Sequence, residues 1–359
     1  MGDTETLIVH LPGRLGDPDR SLGTDPRADP RMVAALAAVG LDGHTAPLPV
    51  GPDSPLPEIL SAVTVAEEAF EVLYAALFAG LPPVPGVVSE TVTIEGPDGD
   101  ELSLYVHRPA GSEGADLPHM VHMHGGGMAI LKGGNAGYWR WRDELAATGM
   151  VVVGPEFRNA AGAQGPHPFP AGLDDCQAAF AWTRDTLAPG KKILVSGESG
   201  GGNLSLALAL RARRDGWSDQ ISGGYAMCPY ISGAYADRPL DLPSLYENDA
   251  YFISCALMSP LVRAYDPDGA HRDDPTCWPL AATVDDLRGL PPHAISVNEL
   301  DPLRDEGLAY LRRLQAASVP GYGRVVAGTC HGGDLILSVA MPDVAAATLR
   351  DIRGFAGAL

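Results

Sequence analysis

Six short, almost wholly apolar runs recur between residues 119 and 328, interleaved with stretches of helical spacing. They are HMVHM at 119–123, MVVVG at 150–154, KILVS at 192–196, GYAM at 224–227, HAISV at 293–297 and RVVAG at 324–328. Strands apolar on both faces belong in a parallel sheet covered by helices on each side. LDDCQAAFAWTRDTL carries Leu173, Cys176, Phe180, Thr183 and Leu187 at alternating steps of three and four, and LRDEGLAYLRRLQAAS carries Leu308, Leu311 and Leu314; both read as helices. Ahead of the first apolar run, VSETVTIEGPDGDELSLYVHRP alternates on either side of GPDGD, which predicts a hairpin.

The first 85 residues follow another rhythm. In ADPRMVAALAAVGL, Asp29 is placed to cap a helix that starts at Pro30 and stops near Gly40. PEILSAVTVAEEAFEVLYAALFAG sets Ile59, Val63, Ala66, Phe70, Leu73 and Leu77 at helical spacing, with Glu67, Glu68 and Glu71 on other faces. GLPPVPG breaks this pattern, so a boundary falls at Gly80–Gly86. A second interruption, about 60 residues between Pro229 and Leu290, contains DLPSLYENDAYFISCALMSPLVRAYDP and reads as partly helical. The expected fold is α/β, a mostly parallel central sheet flanked by helices, formed by residues 86–229 and 286–359. Residues 1–85 and 230–285 stand outside that alternation.

Charge narrows the partners. The formal net charge is −20, which argues against nucleic acid or an anionic membrane, because phosphate contacts need clustered Lys and Arg. Gly (43) and Pro (32) make about a fifth of the chain without a G-X-Y period, so they mark turns rather than collagen. Five well-separated cysteines, Cys176, Cys228, Cys255, Cys277 and Cys330, form no C-x-x-C pair and read as reduced thiols of a cytoplasmic protein. The N-terminus lacks a basic start followed by an apolar core, and no apolar run is long enough to span a membrane. MGDTET fits a myristoylation pattern and Asn203-Leu204-Ser205 a glycosylation sequon; the first is too brief to weigh, and the second lies in an apolar helical stretch.

The sharpest chemical signal is Gly197-Glu198-Ser199-Gly200-Gly201, which joins an apolar strand directly to an apolar helix. A G-x-S-x-G turn in that context lifts the serine hydroxyl above the sheet at a helix N-terminus, where it can act as a nucleophile. Upstream, His124-Gly125-Gly126-Gly127 ends the first parallel strand. Glycines let main-chain N–H groups approach an oxyanion, so Gly126, Gly127 and Gly200 are the candidate donors. His119, His122 and His124 spell H-x-x-H-x-H, a conceivable metal pair, but neither H-E-x-x-H nor a cysteine cluster accompanies it. We read His122 as a strand residue and His124 as a hydrogen-bonding loop residue, and expect no metal or organic cofactor. His107, His167 and His293 read as ordinary structural histidines.

An acid and a base should follow the serine, each just past a strand end, because that edge of a parallel sheet gathers sites. Asp301 follows HAISV and His331 follows RVVAG. Asp305 is a rival acid, but it falls in the first turn of the next helix. Together these residues imply acyl transfer: His331 takes the Ser199 proton, Ser199 attacks a carbonyl, and Asp301 holds the imidazole.

HGGG, the stretch from Phe157 to Trp182 containing HPFPAGLDDCQAAFAW, GESGG, DPLRDEG and the His331 loop together resemble the bacterial esterases of the hormone-sensitive lipase type, within the α/β-hydrolases. The likeness spans roughly residues 85 to 355. It implies a serine carboxylesterase for small, fairly apolar esters of short to medium acyl chain, with Asp301 as the acid and a homodimeric assembly. It also implies a helical cap built from residues 1–85 and 230–285, in which Tyr246, Tyr251, Phe252 and Trp278 are candidates to line the substrate pocket, packing within the cap being the alternative. Two departures stand out. The family usually shows GDSAG where this chain has Glu198 and Gly200, and many members carry an aromatic residue where this chain has Gly333, which implies a wider acyl pocket. An amidase or acyltransferase could use the same triad, and a non-catalytic small-molecule receptor could use the same scaffold. A lipase for long triglycerides would need an exposed apolar lid that the sequence does not show.

Overall fold

The computed structural model describes residues 11–359, so the MGDTET pattern lies outside the described residues. One eight-stranded sheet runs through the molecule in the order β1-β2-β4-β3-β5-β6-β7-β8. β1 (Val87–Glu95) and β2 (Glu101–Pro109) form the expected antiparallel hairpin, with Glu95 opposite Glu101 across GPDGD. β2 also pairs antiparallel with β4. β3 (His119–Met123), β4 (Val151–Pro155), β5 (Ile193–Glu198), β6 (Ile221–Met227), β7 (His293–Asn298) and β8 (Gly321–Val326) are parallel. Every residue of β3, β4, β5 and β7 is buried, as continuous apolar runs require, whereas β8 lies at the sheet edge and is mostly exposed.

The longer helices are α1 (Pro30–Ala37), α2 (Leu56–Phe78), α3 (Ala136–Ala147), α4 (Ala171–Trp182), α5 (Gly200–Asp215), α6 (Cys255–Tyr265), α7 (Arg304–Ala316) and α8 (Pro342–Gly357). α1 starts as its sequence dictates: the Asp29 side chain accepts from the Arg31 N–H and Pro30 occupies the first position. α5 is buried from Gly200 to Ala212, so the sequon inside it is enclosed, and the Asn203 amide donates to the carbonyls of Tyr230 and Cys277. α4 ends at Trp182, earlier than the sequence pattern suggests. The next turn, Thr183–Leu187, widens to a π-helix, with the Thr183 hydroxyl donating to the Ala179 carbonyl at 2.7 Å.

α2 packs against both α3 and α6, which brings the N-terminal segment onto the 230–285 insertion. Polar ties complete that junction. Arg27 pairs with Asp25 at 2.8 Å and with Glu247, while Glu247 also binds Arg304 at 2.8 Å. The Asn248 amide then donates to the carbonyls of Glu299 and Asp301, both at 3.1 Å. Three segments distant in sequence are thereby clamped beside the loop that carries Asp301.

Candidate active site

Ser199 sits between β5 and α5 with φ +55° and ψ −118°, a region that a residue with a side chain occupies only under constraint. Three backbone bonds impose it. The Ser199 N–H donates to the Met227 carbonyl at 2.9 Å, and its own carbonyl accepts from Asn203 at 3.0 Å and Tyr230 at 3.1 Å. The flanking glycines are needed for space: a Cβ on Gly197 would collide with the main chain of Gly201, and one on Gly201 with the Met123 carbonyl. A Cβ on Gly200 would lie 2.6 Å from the amide nitrogens of both Gly127 and Met128. The serine turn and the HGGG loop therefore touch through bare main chain.

That loop turns on Gly126 (φ +105°) and Gly127 (φ +61°). Its entrance is held by the variable residue of G-x-S-x-G, since the Gly125 N–H donates to Glu198 Oε1 at 2.5 Å. Glu198 Oε2 faces His122 Nε2 at 3.1 Å, and His122 Nδ1 lies 3.3 Å from Ser196 Oγ. His124 stacks on Phe157 with ring centres 4.1 Å apart and directs Nδ1 to the Gly125 carbonyl at 2.7 Å. Burial depresses the pKa of both His119 and His124. His122 is a strand residue, as read from the sequence, and lies against the acid that holds the glycine loop without an aligned hydrogen bond to it. The N–H groups of Gly126, Gly127 and Gly200 have no protein acceptor among the described residues.

Asp301 lies just beyond β7 and is completely buried. One carboxylate oxygen is 2.8 Å from His331 Nδ1 and the other accepts from the Leu303 N–H at 2.9 Å. The His331 loop is pinned to β7 through Asn298, whose amide reaches Thr329 Oγ1 at 2.7 Å and Asp334 at 3.0 Å and whose oxygen accepts from Gly332. Asp305 points elsewhere: it accepts from the Ser244 N–H at 2.7 Å and from Arg304 at 2.9 Å. Burial opposes charge on the His331 imidazole, but the Asp301 carboxylate outweighs it and carries the pKa well above the ordinary 6.5.

Cys228 carried no signal in the sequence. It follows β6 at φ +34°, and its sulfur, an Asp301 oxygen and a His331 nitrogen all lie within 4.8 Å of one another. Burial pushes its thiol pKa up. Only the parallel order of β5, β6 and β7 brings it there, which no local pattern encodes.

Ser199, His331, Cys228 and the three loop glycines line one cleft, whose other walls are Phe70 and Tyr74 of α2 and Leu257, Met258 and Leu261 of α6. Of the four aromatic residues proposed from the sequence, only Phe252 reaches it. Tyr246 donates to the Arg238 carbonyl at 2.5 Å beneath the Arg238 guanidinium, and Tyr251 donates to Asp25 at 3.1 Å. Trp278 is buried against Tyr230 and Tyr265. All three pack the insertion instead. Gly333 also faces away, toward Thr329, Cys330 and Met32, so its lack of a side chain does not widen the cleft; Gly332 and Ile336 line it.

A parallel sheet of this order, with a serine on a strained strand-to-helix turn at its C-terminal edge, defines an α/β-hydrolase. The comparisons agree. A family profile described as the alpha/beta hydrolase fold matches residues 120–335. The solved structure of brefeldin A esterase, described as a bacterial homologue of human hormone-sensitive lipase, superposes with a TM-score of 0.93 at 49% identity, covering 97% of this chain and 98% of that one. The structure of esterase Est22 follows with a TM-score of 0.84 at 34% identity, covering 94% and 99%. Carboxylesterase NlhH of Mycobacterium tuberculosis is 34% identical over 211 residues, 57% of this chain, and the match spans 62% of that protein's length. The chain belongs to the alpha/beta hydrolase family, in its branch related to hormone-sensitive lipase.

Proposed function

We propose that the protein is a serine carboxylesterase hydrolysing carboxylic esters of short to medium acyl chain. The observation that carries this is the Asp301–His331 pair, at 2.8 Å, whose imidazole lines one cleft with the strained Ser199. In this reading Asp301 fixes the imidazole tautomer by accepting from Nδ1–H, which leaves Nε2 to take the Ser199 proton as the hydroxyl attacks the ester carbonyl. The Ser199 hydroxyl makes no hydrogen bond to His331 or to any other described residue, although both line the cleft; in this reading that bond forms as substrate binds. The N–H groups of Gly126, Gly127 and Gly200 meet the oxyanion, and Glu198 acts as a positioning residue by fixing Gly125. His331 then protonates the departing alcohol, and water, deprotonated by the same imidazole, releases the acid and restores Ser199. Of residues 1–85 the described stretch, 11–85, together with 230–285 forms the cap over the cleft in this reading.

The relatives support the ester reading, brefeldin A esterase and carboxylesterase NlhH above all. The test is a turnover panel of p-nitrophenyl esters of rising chain length beside the matching anilides, with a chelator control and Ser199→Ala. Ester turnover that needs Ser199 and resists chelation is expected; anilide turnover at equal rate would make the protein an amidase. No helix among the described residues is long and apolar enough to cross a membrane.

A further inference from the structure

A second apolar hollow, open to solvent, lies on the N-terminal segment beside the cleft. Val39 and Leu41 line one flank, with Val72, Leu73 and Ala76 of α2 opposite. Val72 is 70% exposed and Val39 39% exposed, so apolar side chains face water where a surface helix ordinarily shows polar ones. Phe70 and Phe252 belong to the walls of both hollow and cleft. These two side chains are thus common to the wall of Ser199's cleft and the wall of the hollow. Phe252 stands there at φ +69°, a strained conformation for an aromatic residue, and neighbouring Ala250 is at φ +67°. Such a conformation persists only where its surroundings fix it. Here they are the Ile253 N–H bond to the Tyr251 carbonyl at 2.9 Å and the anchoring of Tyr251 on Asp25. The cleft behind the two rings is itself apolar, walled by Leu257, Met258 and Leu261, so a hydrocarbon chain passing between the two spaces meets no desolvation barrier.

We infer that the hollow is a distal subsite for the hydrocarbon tail of an ester whose carbonyl is held at Ser199, reached across the Phe70–Phe252 edge. The inference rests on the carboxylesterase reading and extends its substrate class to esters with a long apolar chain. Continuity with the cleft favours this occupant over a second copy of the chain or a lipid surface.

The test measures kcat/KM for p-nitrophenyl acetate, p-nitrophenyl decanoate and decyl acetate, below their aggregation limits, with the wild-type chain, Ala76→Trp and Val72→Glu. Both substituted positions are solvent-exposed and outside the catalytic machinery. A loss of about tenfold or more on one of the ten-carbon substrates, with acetate turnover within about twofold, is expected. Loss on the decanoate places the acyl chain in the hollow, and loss on decyl acetate places the alcohol chain there. Unchanged chain-length preference in both variants overturns the inference. So does a loss that is absent below the aggregation limit and appears only when the assay is repeated above it, which would give the hollow to a lipid surface. Equal loss on all three substrates together with dissociation of an oligomer would give it to a second copy. Acetate hydrolysis that survives Ser199→Ala would overturn the esterase reading itself, a result separable from all of these.

Discussion

The serine turn and the helical region above it reach the same cleft by different means. At the turn, position is set by main chain: Gly200 leaves room for the amides of Gly127 and Met128, and Ser199 is fixed by its bonds to Met227, Asn203 and Tyr230. Above it, position is set by side chains from segments far apart in sequence, with Phe70 and Tyr74 from one and Phe252, Leu257 and Leu261 from another. Backbone constraints leave short, fixed footprints in a sequence; side-chain packing across segments leaves almost none. Changes at the turn should therefore strike the chemical step, and changes in the helical region should strike substrate choice or stability.

The largest separation should come from Asp301→Asn. Loss of the charge that orients and supports the His331 imidazole should lower kcat by about 10⁴-fold while circular dichroism stays unchanged. Gly200→Ala comes next, even though alanine is usual at this position in the family. The added Cβ, 2.6 Å from two amide nitrogens, must displace the glycine loop, and we expect roughly a 100-fold loss in kcat with little change in KM. A variant as active as the wild type would show that the loop yields freely and that the backbone contact sets nothing.

The pH profile sharpens the same contrast. In the proposed mechanism His331 is a base only when neutral, and its pKa stands well above 6.5, so kcat/KM should climb with pH through that raised value and then level off. Stability runs the other way. The folded chain holds the His331 proton more tightly than the unfolded chain, so this stabilisation is complete below about pH 6.5 and is lost as pH rises through the folded value. Thermal melts across that window should show the decline, and His331→Gln should flatten it. The smallest effect belongs to Tyr251→Phe, which removes a buried hydroxyl bond to Asp25 at a cost of about 1 kcal/mol. Because Tyr251 does not itself reach the cleft and the main-chain bond from the Ile253 N–H to the Tyr251 carbonyl still holds Phe252 in the variant, kcat/KM for p-nitrophenyl acetate should hold within about twofold as Tm falls.

This division also explains what the sequence made legible. β3, β4, β5 and β7 were readable because burial on both faces requires uninterrupted apolar runs, and the hairpin because GPDGD separates two alternating strands. Ser199, the HGGG loop and the positions of Asp301 and His331 past strand ends could be read for the same reason. Cys228 could not, since its nearness to His331 depends on strand order. The closeness of Glu198 to His122 likewise depends on two strands whose register no local pattern states. Among the insertion's aromatics, Tyr246, Tyr251 and Trp278 have the same composition-level appeal as Phe252 but turn inward to Arg238, Asp25 and the Tyr230–Tyr265 stack. The cleft-facing side of α2 was visible in its periodicity through Phe70, yet nothing in that periodicity says which space it faces.

The central claim is that Ser199 is the nucleophile, activated by His331. Its most direct test is the intact mass of the protein after reaction with an organophosphate fluoride, followed by peptide mapping of the adduct. One adduct per chain on Ser199, slowed by orders of magnitude in His331→Ala, is the expected result; no adduct, or one on Cys228 with Ser199 untouched, would contradict it.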